Sequence, residues 1–150
     1  MKRYRLVIDE EACWGCRACE VACLQENDPP QGARLIHVSE DGPKAVGGKL
    51  QMLFRIRVCQ HCDDPPCLEV CPEEAITRRP DGVVILDSGR CTGCGACRDA
   101  CPYGAISFDE GGTAYKCNLC YQRIDRGLLP VCADGICLSH AIRLQEAEGR

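Results

Sequence analysis

The sequence is poor in bulky apolar residues. Its 150 positions include two Phe, one Trp and four Tyr, too few aromatics for a platform on which bases could stack. A basic stripe is missing as well. Lys and Arg number 18 against 22 Asp and Glu, for a formal net charge of −4, so nucleic acid is not an expected partner. The longest purely aliphatic stretch, VVIL at 83–86, is far too short to cross a bilayer. The N-terminal stretch MKRYRLVIDEEAC has neither a signal-peptide apolar run nor a twin-arginine pair. These absences read as a soluble, unprocessed, cytoplasmic chain without direct membrane insertion. Catalytic constellations are also lacking. There is no Cys-x3-Cys-x2-Cys radical motif, no nucleotide-binding glycine loop and no recognisable acid–base pair, so no catalytic site is expected.

What the chain does have is cysteine, 16 residues of it, together with 15 Gly and 9 Pro. Cysteine inflates the 45% hydrophobic fraction. The remaining apolar residues, spread over a loop-rich chain, make a marginal core that needs some other support. Disulfides would fit a secreted protein, and metal ligation a cytosolic one. The cysteines fall into four quartets with none left over: Cys13, Cys16, Cys19, Cys23; Cys59, Cys62, Cys67, Cys71; Cys91, Cys94, Cys97, Cys101; and Cys117, Cys120, Cys132, Cys137.

The quartets belong to an internal repeat. VIDEEACWGC at 7–16 matches VILDSGRCTGC at 84–94, each with Asp four positions before its first Cys and Gly between the first pair. CPEEAI, CPYGAI and CLSHAI follow the last cysteines of three units. The pattern reads as strand, cysteine loop, short helix, strand. It predicts helices over about 17–26, 67–73, 95–101 and 118–126, and strands over about 4–9, 53–58, 83–87 and 105–109. In the cysteine-free segment, RLIHVSE and KLQMLFRIRV alternate as strands around a loop signal, DGPKAVGG. That segment is expected to form a hairpin that completes a small core.

A cubane [4Fe–4S] cluster takes one thiolate on each iron. Cys-x2-Cys-x2-Cys supplies three from one tight loop, and the fourth comes from elsewhere. CTGCGACRDACPYGAI fits the two-cluster ferredoxin run at every cysteine and at Pro102. Zinc prefers two well-separated Cys-x2–4-Cys knuckles, a pattern that the wide gap of the last quartet alone would permit. His61, within CQHC, reads as a loop residue making local hydrogen bonds, and His37 and His140 lie outside any ligand spacing. Trp14 reads either as cover for a cluster or as a packing residue. Lys116 and Arg123 read as solvated surface that could also place positive charge near a cluster.

CWGCRACEVACLQEN, CQHCDDPPCLEVCPEEAI, CTGCGACRDACPYGAI and KCNLCYQRIDRGLLPVC, in this order, resemble the four-cluster iron–sulfur subunits of the DMSO reductase family. The likeness runs over about residues 4–143. It implies an α+β fold of two ferredoxin-like halves related by a pseudo-two-fold, small, loop-rich and stabilised by clusters. The outer half would be 1–30 plus 110–150, the inner half 53–109, and 31–52 a hairpin insertion. It implies crossed ligation: Cys13, Cys16, Cys19 with Cys137; Cys59, Cys62, Cys67 with Cys101; Cys91, Cys94, Cys97 with Cys71; and Cys117, Cys120, Cys132 with Cys23. The chain departs from the family in unit four, where Cys132-ADGI-Cys137-Leu138 has one extra residue and lacks the proline. It also stops at Arg150 without the extension by which some relatives reach a membrane subunit, which favours a soluble complex.

The function implied is electron transfer in anaerobic metabolism. Four [4Fe–4S] clusters would wire a larger catalytic subunit, with its molybdenum- or tungsten-pterin, to a ferredoxin, a flavoprotein or a further cluster subunit. A free-standing polyferredoxin and a structural zinc-binding module are the alternatives.

Overall fold

The computed structural model describes residues 2–148. In chain order it contains β1 (Lys2–Ile8), α1 (Ala18–Asn27), β2 (Ile36–Val46), β3 (Lys49–Val58), α2 (Pro66–Glu69), β4 (Ile76–Arg78), β5 (Val84–Leu86), α3 (Ala96–Ala100), β6 (Ser107–Phe108), β7 (Ala114–Tyr115), α4 (Tyr121–Ile124) and β8 (Ile142–Glu148). The strands form four separate antiparallel pairs: β1–β8, β2–β3, β4–β5 and β6–β7. β1 pairs with β8 from Lys2↔Glu148 to Ile8↔Ile142. This brings the first cysteine unit against the last, across nearly the whole chain.

The repeat in the sequence has a local physical cause. Asp9 and Asp87 each cap a 3-10 turn, accepting from the Ala12 N–H at 3.3 Å and the Gly89 N–H at 2.9 Å. Each turn ends as the next cysteine N–H, Cys13 or Cys91, donates to the carbonyl of Glu10 or Ser88. The Asp N–H itself donates to the carbonyl of the Ala in the distant Ala-Ile pair, Asp9 to Ala141 and Asp87 to Ala75, both at 2.8 Å. The shared Asp is therefore a cap that presents the cysteine loop.

Several elements differ from the sequence expectation. The helix expected over 67–73 is only Pro66–Glu69, because the chain must turn at Cys71-Pro72, where proline supplies no N–H. The helix expected over 118–126 is only Tyr121–Ile124. Leu119 and Cys120 take φ of 56° and 47°, which delays its start. DGPKAVGG is mostly strand rather than loop: β2 continues to Val46 through a register shift between Asp41 and Lys44, and the turn falls at Gly47-Gly48. Strands β4, β7 and β8 lie outside the expected ranges. β8 is rich in polar residues and gains its conformation from its ladder with β1.

The larger core cluster joins Leu6, Leu35, Ile36, Val38, Ile56, Val58, Val83, Leu119 and Ile142 with Cys19, Cys23, Cys59, Cys117 and Cys132. The smaller one joins Ile76, Val84, Ile106 and Ala114 with Cys67 and Cys97. Thiols thus stand where an ordinary domain of this size would place aliphatic side chains. The hairpin contributes its base to the core, while its tip leaves Leu50 and Met52 exposed.

Candidate iron–sulfur cluster sites

The first cysteine of every unit is held in the same way. The N–H two residues on donates to its Sγ: Gly15 to Cys13 at 3.4 Å, His61 to Cys59 at 3.4 Å, Gly93 to Cys91 at 3.4 Å and Leu119 to Cys117 at 3.3 Å. All four donors have positive φ, at 68°, 47°, 76° and 56°. This left-handed residue turns its own N–H toward the sulfur, a donor suited to a thiolate.

The last cysteines of units two, three and four share a second geometry. Three residues after Cys71, Cys101 and Cys137 stand Glu74, Gly104 and His140, again at positive φ, with N–H groups donating to the cysteine carbonyls at 3.2, 3.4 and 3.0 Å. Cys137 therefore follows the same backbone course as its two counterparts. The extra residue is absorbed before it, in the 3-10 turn Val131–Ala133 and in Gly135 at φ 74°. Burial opposes ionisation of Cys137. Hydrogen bonds from the Ser139 side chain and from the N–H groups of Ile142, Ala141 and Ser139 outweigh burial and lower its pKa.

The thiols gather across units. Cys59, Cys62, Cys67 and Cys101 line one small cavity, and Cys71, Cys91, Cys94 and Cys97 line another. Cys13 and Cys137 are charge neighbours of Cys19. Cys120 and Cys23 are charge neighbours of Cys132, and Cys132 is one of Cys117. Cys16 is exposed on the Cys13 loop. Burial pushes the Cys19 and Cys67 thiols up to about 11 and Cys23 up to about 12. It also drives Cys117 and Cys132 well above the ordinary thiol value. Such thiols stay protonated unless a cation replaces the proton.

The donor set fits a polynuclear iron–sulfur core better than a single ion. All sixteen cysteines are free thiols, yet no three His, Cys, Asp or Glu groups among the described residues converge as one metal ion requires. A zinc site would draw four ligands to a point about 2.0–2.3 Å away. Here two quartets ring a cavity instead, which suits a core that itself fills the space between thiolates. His61 Nε2 adds to the fit, being the one buried side-chain polar atom without a hydrogen-bond partner among the described residues.

Several residues differ from their sequence reading. Lys116 is not surface: it is 5% exposed, with Nζ donating to Cys59 Sγ, to the Cys117 carbonyl and to the Val84 carbonyl. Arg123 is largely covered, bound to Glu26, Asp134 and the Leu129 carbonyl. His61 is buried, and its Nδ1 accepts from the Val84 N–H at 3.0 Å, a contact far from local. Burial, aided by the Lys116 charge, lowers its pKa to about 3 and keeps the ring neutral. Trp14 is 66% exposed and packs into no core. Glu20 was missed altogether. It is buried beside Cys19, accepts from the Val38 N–H and meets His37 Nδ1 at 2.9 Å. Nothing in its helical context distinguishes it from a surface acid.

A family model described as a 4Fe-4S dicluster domain matches residues 50–147, and one described as a 4Fe-4S binding domain matches residues 10–26. The chain is 42% identical over 134 residues to a tetrathionate reductase subunit of Salmonella typhimurium, covering 88% of this chain and 54% of that protein. It is 37% identical over 162 residues to a dimethyl sulfoxide reductase iron-sulfur subunit of Halobacterium salinarum, covering 88% and 62%. It is 38% identical over 152 residues to the thiosulfate reductase electron transfer subunit of Salmonella typhi, covering 97% and 79%. The chain thus spans between half and two thirds of the length of the first two relatives. Four repeated cysteine loops, thiols gathered around cavities and these similarities lead to one assignment: the chain belongs to the [4Fe–4S] iron–sulfur electron-transfer subunit family of the molybdopterin oxidoreductases.

Proposed function

We propose that this protein conducts electrons through four [4Fe–4S] clusters between a catalytic molybdenum- or tungsten-pterin subunit and a ferredoxin, flavoprotein or further cluster subunit. Each cluster takes three thiolates from one unit and the fourth from another: Cys13, Cys16, Cys19 and Cys137; Cys59, Cys62, Cys67 and Cys101; Cys91, Cys94, Cys97 and Cys71; Cys117, Cys120, Cys132 and Cys23. The first and last sets form an outer half, residues 1–30 plus 110–150. The middle two form an inner half, 53–109, related to the outer by a pseudo-two-fold, and 31–52 is the hairpin insertion.

The observation that supports this reading is that thiols of successive sets lie near one another. Cys19 and Cys23 are charge neighbours, as are Cys117 and Cys59, and Cys67, Cys97, Cys71 and Cys101 pack in one cluster of side chains. In this reading the sets run in a row: the Cys13 set, the Cys117 set, the Cys59 set, then the Cys91 set. Such a row gives an electron two ends. The clusters supply the redox chemistry, and the chain supplies thiolates, N–H donors and insulation from water. Sixteen free thiols fit a reducing compartment, the cytoplasm. No helix among the described residues is long and apolar enough to cross a membrane.

Anaerobic purification followed by iron and acid-labile sulfide analysis tests the reading. Four cubanes give about sixteen of each per chain, and a larger pterin-containing protein should co-purify. Zinc-dominated protein, or about eight irons, would overturn it. A fully loaded monomer that associates with nothing larger would point instead to a free-standing polyferredoxin.

A further inference from the structure

Lys116 is the feature that this reading leaves unused. Its ammonium lies between the Cys59 set and the Cys117 set, where an unpaired charge is costly. The two lysine ion pairs among the described residues belong to Lys2 and Lys44, so no carboxylate neutralises Lys116. Its Nζ instead has three acceptors: Cys59 Sγ at 3.5 Å, the Cys117 carbonyl at 2.9 Å and the Val84 carbonyl. Three acceptors match the three N–H bonds of an ammonium, whereas a neutral amine has only two.

The site is built around Cys59. His61 donates its N–H to Cys59 Sγ and accepts the Val84 N–H on Nδ1, while Lys116 donates to the carbonyl of the same Val84. The Val84 peptide is held from both sides, and this holds Lys116 against the sulfur. The other thiols receive neutral donors: the backbone N–H groups of Gly15, Ala75, Gly93, Ala114 and Leu119, and the side chains of Asn27 and Ser139. Lys116 is the one cationic donor to a candidate ligand thiol among the described residues. Among the described residues, Lys116 Nζ reaches a thiol in the Cys59 set, whereas on the Cys117 side it reaches a backbone carbonyl.

We infer that Lys116 is a tuning residue whose fixed charge selectively raises the reduction potential of the cluster held by Cys59, Cys62, Cys67 and Cys101, making that cluster the electron-holding station inside the row. The inference rests on the four-cluster reading above. Reduction adds negative charge to a cluster, so a buried cation hydrogen-bonded to its thiolate favours the reduced form. Removing the charge reverses that preference. The carboxamide of Lys116→Gln retains donors without charge and separates the two effects.

Redox titration of the anaerobic holoprotein, followed by electron paramagnetic resonance, tests this cluster by cluster; the signal changed by Cys59→Ser identifies the relevant one. Lys116→Gln should lower its one-electron reduction constant at least tenfold, a fall of about 59 mV, and move the other three less than threefold. Lys116→Arg should restore most of the loss, and Arg123→Gln should move none. No shift, or an equal shift in all four, overturns the inference. Wild-type protein labelled with 15N-lysine provides a check that needs no Lys116 variant: pulsed resonance should detect a lysine nitrogen coupled to that one reduced cluster, and its absence there also overturns the inference. With about sixteen irons per wild-type chain a negative result refutes Lys116 tuning alone, whereas a lower count refutes the four-cluster reading.

Discussion

The inner and outer thiol pairs use the same loops but are enclosed differently. Of the eight thiols in units two and three, Cys59, Cys67 and Cys97 are buried and the other five remain partly or fully accessible, and the surrounding strands β4 to β7 are two or three residues long. Of the eight in units one and four, Cys19, Cys23, Cys117, Cys120 and Cys132 are buried, whereas Cys13 and Cys137 are half-buried and Cys16 is exposed. The buried ones pack with residues of the seven-pair β1–β8 ladder, the ten-residue helix α1 and the base of the hairpin. The smaller cluster, with Ile76, Val84, Ile106 and Ala114 beside Cys67 and Cys97, therefore depends on what its thiols bind to complete it. The larger cluster joins Leu6, Leu119 and Ile142 from the two ends of the chain to Ile56, Val58 and Val83, and its stability should respond more strongly to side-chain truncation.

The largest effect that would sharpen this contrast is at Leu119, which has no exposed surface and sits in the larger core cluster beside Cys117. Leu119→Ala should cost about 2–5 kcal/mol through lost burial and the cavity left behind. Leu86→Ala, in the half-buried rim of the smaller cluster, should cost less than half as much. Anaerobic urea titrations of the cluster-loaded proteins measure both. Equal losses would break the contrast and show the two core clusters to be packed alike.

A smaller difference is expected at the paired loop glycines. Both need positive φ, so alanine at either position incurs about 1–2 kcal/mol of backbone strain. At Gly93 an added Cβ would also sit 2.5 Å from the Gly112 carbonyl oxygen, part of the backbone. At Gly15 the obstacle is the far edge of the Phe54 ring, which can turn aside. Gly93→Ala should therefore be the more damaging by denaturation midpoint and should lower iron content, while Gly15→Ala keeps its iron. The reverse order would mean that the outer loop is the stiffer of the two.

The repeated loops were legible because each unit encodes its own geometry. The Asp cap, the residue two positions after the first cysteine and the Ala-Ile pair are all short-range features, and each has a repeated counterpart in the backbone. Helix lengths were less legible. Leu119 and Cys120 adopt positive φ without glycine to announce it, so the helix after them starts late. β8 could not be read from RLQEAE, because the partner that orders it is β1, more than 130 residues away. Lys116 and His61 were misread for a related reason: their partner, the Val84 peptide, belongs to another unit. No spacing rule within a unit reveals that contact.

The smallest expected effect lies where the segment after β4 meets α4. Arg79, after β4, forms ion pairs with Asp81 at 2.9 Å and Asp125 at 2.6 Å, and its guanidinium lies 4.9 Å from the centre of the Tyr121 ring. Hydrogen bonding to Arg79 lowers the Asp125 pKa below the ordinary aspartate value, so the pair strengthens the folded state above about pH 4 and fades as pH falls through the depressed folded value. Both side chains are within reach of solvent, where salt screens such pairs. Asp125→Asn should lower the thermal midpoint slightly at pH 7 in low salt, and the gap should close in about 1 M salt, where charges are screened within about 3 Å. A gap that survives high salt would mean that Arg79 ties β4 to α4 by stacking on Tyr121. The two segments would then be held by packing instead of by charge.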